Sequence, residues 1–136
     1  MRDLEREEIK TFTLSEARRL LPQLRRLLAR VTVEREAILD LRMEMERVRE
    51  KASLDSGSPY GTTYIAHMTA FTEAVQRIQS LGVEIKDFRS GLIDFPHERD
   101  GRIVFLCWKM DEEEINWWHE IDAGFAGRQM LTDDFD

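Results

Sequence analysis

The sequence predicts an α+β domain: a long antiparallel helical hairpin followed by a small antiparallel sheet of three to four strands. Three observations predict it. Apolar residues recur every seven positions through the first third of the chain. A serine- and glycine-rich break then separates that stripe from a second helical one. After Gly82 the apolar period falls to two, the repeat of a strand with one buried face. At 136 residues the chain is expected to be a single domain over 1–136. The hairpin covers about 13–81, a sheet and glycine-turn region about 82–128, and an acidic tail 129–136.

The first helix opens at Thr13-Leu14-Ser15-Glu16, the S/T-x-x-E form in which the first and last residues satisfy each other's free amides. Ala17, Leu24, Val31, Ile38, Met45 and Ala52 then mark one seam position, and Leu20, Leu27, Leu41 and Val48 the second, interrupted by Glu34. Pro22 removes an amide and crowds the Arg18 carbonyl, which predicts a kink or a short first helix before the long one. Residues 53–61 (SLDSGSPYG) form the break, the loop expected to be the most mobile. The second helix is expected over about 62–81, with Tyr64, Met68, Phe71, Val75 and Ile78 as its stripe and Gly82 as its stop. It is shorter than the first, so part of the long seam is left for the sheet or for another subunit.

Residues 83–88 alternate as a strand, and Ser90-Gly91 reads as a turn. Residues 92–95 form a short strand ended by Pro96. Asp100-Gly101 is a strong tight-turn signal, and residues 102–109 (RIVFLCWK) form the most apolar strand. Residues 111–114 (DEEE) are the expected exposed tip of the next connection. Residues 115–121 (INWWHEI) fit a strand or a helix; the tryptophans and the alternation favour the strand.

Charge is unevenly spread. The net charge is −7. Residues 1–51 carry 13 basic and 11 acidic residues, whereas residues 52–136 carry 7 and 16. The acidic balance disfavours nucleic acid and anionic membranes as partners, firmly for the sheet half and less so for the arginine-rich helix. The N-terminus shows no apolar leader and no apolar run approaches the ~20 residues that cross a bilayer. The single cysteine, Cys107, excludes an internal disulfide and suits a reducing cytoplasm.

The runs GVEIKDF (82–88), GLIDFPHERDGR (91–102), LCWK (106–109) and WHEIDAGFAGR (118–128), with the opening TFTLSEARRLLPQL (11–24), resemble one uncharacterised bacterial family, domain of unknown function twenty-two-oh-three. The resemblance covers nearly the whole chain except the 53–61 loop and the acidic tail. It implies a small, cytoplasmic, stand-alone bacterial protein and carries no activity.

Asp94, His119, Glu120 and Asp122 are the candidate metal or acid/base residues. Carboxylates with an imidazole are donors for zinc, manganese or nonhaem iron, and equally a proton-transfer set. On a strand His119 and Glu120 point to opposite faces; on a helix His119 and Asp122 would share one. The competing reading is a packed histidine beside Trp117 and an Asp122 that caps a turn. Gly124, Gly127 and Arg128 are candidate anion-binding residues, a backbone nest with a cation. Against this, Arg128 can simply pair with an acid such as Asp94 or Asp122. Cys107 reads as a buried small hydrophobe. His97 falls in a polar turn and His67 beside the helical seam, neither forming a site. Trp117 and Trp118 alternate faces, so one of them must meet solvent, a ligand or a partner. The expected function is a non-enzymatic binding or oligomerising module, a homo-oligomer through the helical seam. The alternative is a metal-dependent or acid/base enzyme, with a divalent metal as its cofactor.

Overall fold

Thr13 and Glu16 open the first helix by reciprocal bonding. In the computed structural model, which describes residues 9–51 and 60–136, the Thr13 amide donates to Glu16 Oε1 at 2.9 Å and the Glu16 amide to Thr13 Oγ1 at 3.0 Å. Helix α1 then runs without interruption over Leu14–Lys51. The helix is not divided at Pro22, so no separate short first helix forms. Leu21 and Leu24, on either side of it, are buried in the same core as Ala17 and Leu28. Packing along that stripe outweighs one missing amide. The 53–61 loop lies almost wholly outside the described residues.

The first seam position is buried as its spacing requires, at Ala17, Leu24, Val31 and Ile38. The second shifts by one residue in the first half of the helix, where Leu21 and Leu28 are buried while Leu20 and Leu27 pack at the edge of the core; farther on, Leu41 and Val48 hold their positions half-buried. A stripe this broad suits a helix covered by two partners, a sheet and a second helix, rather than by a single coiled-coil mate. Helix α2, Gly61–Ser80, lies antiparallel to α1: Arg42 Nε donates to Tyr64 Oη at 2.9 Å and Glu34 pairs with His67 Nδ1 at 2.6 Å. Glu34, the polar interruption of the heptad, thus finds its partner on the facing helix. Gly82 ends α2 with φ +97°, and a Cβ there would press on the side chains of Lys10 and Phe12.

Five strands follow as an antiparallel meander in chain order: β1 (Glu84–Asp87), β2 (Leu92–Arg99), β3 (Arg102–Lys109), β4 (Trp117–Glu120) and β5 (Gln129–Met130). The count exceeds the expected three to four because residues 129–136 are not a free tail. Gln129 and Met130 pair with Trp118 and Trp117, and Phe135 is buried against Trp118 and beneath Arg99. Residues 115–121 contain a strand and no helix.

Strand β2 passes through Pro96 rather than ending there. The Pro96 carbonyl accepts from the Phe12 amide at 2.8 Å, so its backbone polar side faces away from β3. The missing amide therefore falls outside the β2–β3 ladder, where it costs no hydrogen bond. Asp100 and Gly101 both have positive φ, 51° and 77°, the geometry of a two-residue I′ hairpin turn. It sets Arg99 against Arg102 and, along the hairpin, Asp94 against Cys107.

The register gives the sheet two different faces. Ile93, Phe95, Val104, Leu106, Trp108 and Trp118 point into the core shared with the helices. Asp94, Phe105, Cys107, Trp117 and His119 share the opposite face, since Asp94 opposes Cys107, Cys107 opposes Trp117 and Phe105 opposes His119. Among the described residues no helix is long and apolar enough to cross a membrane.

Candidate metal centre

Three adjacent strands each contribute one donor to the face opposite the helices: Asp94 from β2, Cys107 from β3 and His119 from β4. One ligand atom of each lies within 4.8 Å of the other two. All three residues are buried, at 1%, 0% and 2% exposure. His119 Nε2 meets Asp94 Oδ2 at 2.9 Å, and His119 Nδ1 meets the Glu120 carbonyl oxygen at 2.7 Å. The ring of Phe105 packs against that imidazole at 5.5 Å.

These distances fix the chemistry of the histidine. A carbonyl oxygen only accepts, so Nδ1 carries a proton and donates it to Glu120. The neutral ring then presents its lone pair on Nε2, aimed at Asp94. Without an ion one further proton must lie between Nε2 and Oδ2, on either partner. A metal-ligating histidine has the same outer contact, its remote N–H held by a backbone carbonyl. Among the described residues, Asp94 Oδ1 is buried without a hydrogen-bond partner. A buried carboxylate oxygen left unpaired is costly unless something else takes up its charge.

Burial raises the Asp94 carboxyl above its ordinary range, against the opposing pull of His119. Burial, followed by the Asp94 charge, pushes the Cys107 thiol up to about 12, with Arg128 acting in the opposite direction. The arrangement is therefore not a nucleophilic Cys–His pair. Both histidine nitrogens are engaged elsewhere, and the free thiol stays protonated near neutrality. A bound divalent cation is what would turn this thiol into a thiolate.

The other candidates separate from this centre. Glu120 offers only its carbonyl. Its carboxylate forks onto Arg102 at 3.1 and 2.7 Å, and that pairing holds it below its ordinary pKa. Asp122 is exposed in the turn after β4. Gly124 and Gly127 bracket a single 3₁₀ turn, Phe125–Gly127, and a Cβ on Gly127 would lie 2.5 Å from that of Ala123. Arg128 does pair with an acid, but the acid is Glu112: Nη2 reaches its two oxygens at 2.7 and 3.0 Å.

Glu112 is thus half-buried rather than part of an exposed tip. Its Oε1 also accepts the Lys109 amide at 2.8 Å. Burial raises its pKa, but the Arg128 fork and that amide outweigh the effect and hold the carboxyl below its usual range. Arg25 of α1 secures the same connection from the core side, donating to the carbonyls of Met110, Glu112 and Glu113. Trp118 joins the core, and Trp117, on the other face, lies half-buried beneath the Arg128 guanidinium at 5.0 Å. His97 is a buried residue of β2 that bonds the Phe12 carbonyl at 2.7 Å, and His67 is half-buried against Glu34.

Cys107 is the member that the sequence reading missed, although a signal for it was present. A two-residue turn at Asp100-Gly101 places residues equidistant from it opposite each other. Counting outward sets Asp94 against Cys107, provided β2 is carried through Pro96.

A family model described as an uncharacterized conserved protein matches residues 10–131. No curated protein and no solved structure matches the chain.

Proposed function

We propose, for a chain that belongs to the DUF2203 family, that it is a metal-binding protein holding one zinc-class divalent ion on Asp94, Cys107 and His119. The observation that carries this reading is the convergence of a carboxylate, a thiol and an imidazole, all buried, with donor atoms within 4.8 Å of one another. Thiolate with imidazole and carboxylate selects zinc, or cobalt and ferrous iron in its place, over magnesium and calcium. One thiolate and one carboxylate neutralise a doubly charged ion, which allows the centre to be buried. Three protein donors leave one tetrahedral position for water or a further ligand. The reading assigns the protein to a reducing, cytoplasmic setting, where a lone thiol stays available as a ligand.

Cobalt titration of chelator-treated protein tests it. One equivalent is expected to bind with a thiolate-to-cobalt charge-transfer band, and zinc should displace it. Cys107→Ser should abolish the band. A chain that shows no such band, and no zinc by elemental analysis after purification without chelator, sinks the reading.

A second reading, self-association through the helical hairpin, has its own support. Most of the seam is consumed within the chain, yet Leu39 and Met43, one turn apart on α1, are 40% and 64% exposed. Ile65 on α2 is 65% exposed. Light scattering over micromolar concentrations should show a dimer or larger that Met43→Glu dissociates. A wild-type monomer throughout that range rules it out.

A further inference from the structure

Arg128 reaches the backbone of one of the three donors, Cys107. Its Nη2 donates to the Cys107 carbonyl oxygen at 3.4 Å as well as to Glu112. Its guanidinium lies over the rings of Trp117 at 5.0 Å and Phe125 at 4.8 Å. Trp117 is the cross-strand neighbour of Cys107, so this stack seats the cation directly beside the sulfur ligand's strand position. Among the described residues the Arg128 Nε is buried without a hydrogen-bond partner, a sign that stacking and charge, rather than full hydrogen bonding, fix its place. Glu112 is held to the same strand end by the Lys109 amide and, through its own carbonyl, by Trp108 Nε1 at 2.8 Å. A positive and a negative group are thus anchored side by side next to one ligand of the centre.

We propose that Arg128 and Glu112 are positioning residues of opposite sign for the Cys107 ligand, Arg128 supporting the metal-bound thiolate and Glu112 moderating that support. The proposal rests on the metal reading above. The ion with one thiolate and one carboxylate is neutral, as is the Arg128–Glu112 pair. Removing either member of the pair leaves a single uncompensated charge on the Cys107 side of the centre, away from Asp94, where it acts more strongly on the sulfur's negative charge than on the rest of a neutral centre.

The sign separates this role from a merely structural one. Both substitutions break the same ion pair, so a structural role predicts that both weaken metal binding. The positioning role predicts opposite effects. Cobalt affinity, read from the thiolate charge-transfer band in competition with a chelator, should fall about tenfold in Arg128→Met. It should rise several-fold in Glu112→Gln, and Arg128→Lys, which keeps the charge, should recover much of the loss. Weaker or unchanged binding in Glu112→Gln overturns the proposal. That variant keeps the size and hydrogen-bonding capacity of the side chain, so it reads the sign even if Arg128→Met does not fold. Wild-type protein that takes up no cobalt instead overturns the metal reading, and this inference with it.

Discussion

His119→Ala is expected to lose metal binding altogether and to destabilise the chelator-treated protein by about 3 kcal/mol or more. The cause is local. His119 Nε2 is the hydrogen-bond partner of Asp94 Oδ2, and Asp94 Oδ1 already lacks one. Without the imidazole the buried carboxyl group keeps only the weak Cys107 S–H donor beside it. At this chain length the melting temperature should drop by roughly 10 °C.

The pH dependence should change in a defined direction. Burial holds the folded-state pKa of Asp94 above its unfolded value, and His119 is the first influence opposing that shift. A carboxyl raised in this way contributes stability that is fully present below the unfolded pKa and lost as pH rises through the folded one. Removing His119 strengthens the effect. The variant should therefore be most stable in acid and lose stability as pH rises from the ordinary carboxylate range through the raised pKa of Asp94. Adding Asp94→Asn should abolish that slope. Thermal melts across pH check it; an unchanged slope in the double variant would show that another group is responsible.

Trp108→Ala is expected to cost about 3–5 kcal/mol, the largest effect in the core. Trp108 is fully buried among the helix-facing residues of the sheet. Its Nε1 donates to the Glu112 carbonyl at 2.8 Å, and Arg25 lies 5.2 Å over its ring. The substitution therefore opens a cavity and loosens the connection that Arg25 secures. Trp108→Phe retains most of the packing and should cost only about 1–2 kcal/mol, the loss of one buried hydrogen bond with some volume. Urea titration distinguishes them by midpoint. Equal midpoints would mean that the indole N–H, and not the ring volume, carries the stability.

The hairpin and the sheet were legible because both rest on short-range periodicity. The heptad of α1 required only that one stripe be apolar, and Thr13 with Glu16 marked its start. The alternation of 115–121 and its two tryptophans, a residue type that favours strands, identified β4 correctly. Local rules give the wrong outcome where a long-range contact overrides them. Pro22 breaks an isolated helix but not one whose flanking leucines are packed. Pro96 ends a strand only if its amide is needed, and here that side of β2 faces Phe12. The residues of 129–136 look like a solvated tail until Phe135 is seen beneath Arg99.

The candidate site divides in the same way. Asp94 and His119 were visible as donor types, and the structure joins them. Glu120 and Asp122, adjacent in sequence to His119, are not brought to it. Adjacent strand residues face opposite ways, and Asp122 lies past the strand's end. Cys107 looked like one more apolar core residue because its neighbours Leu106 and Trp108 are exactly that, on the other face.

By itself, then, the sequence determined the α+β class, the antiparallel hairpin and the turn at Asp100-Gly101, since period and turn chemistry are properties of neighbouring residues. Only the tertiary structure decided that Asp94, Cys107 and His119 meet, that Arg128 chooses Glu112, and that Gln129 and Met130 add an edge strand to the sheet. Those outcomes depend on register across three strands and on which buried charge finds a partner, and neither is encoded at short range.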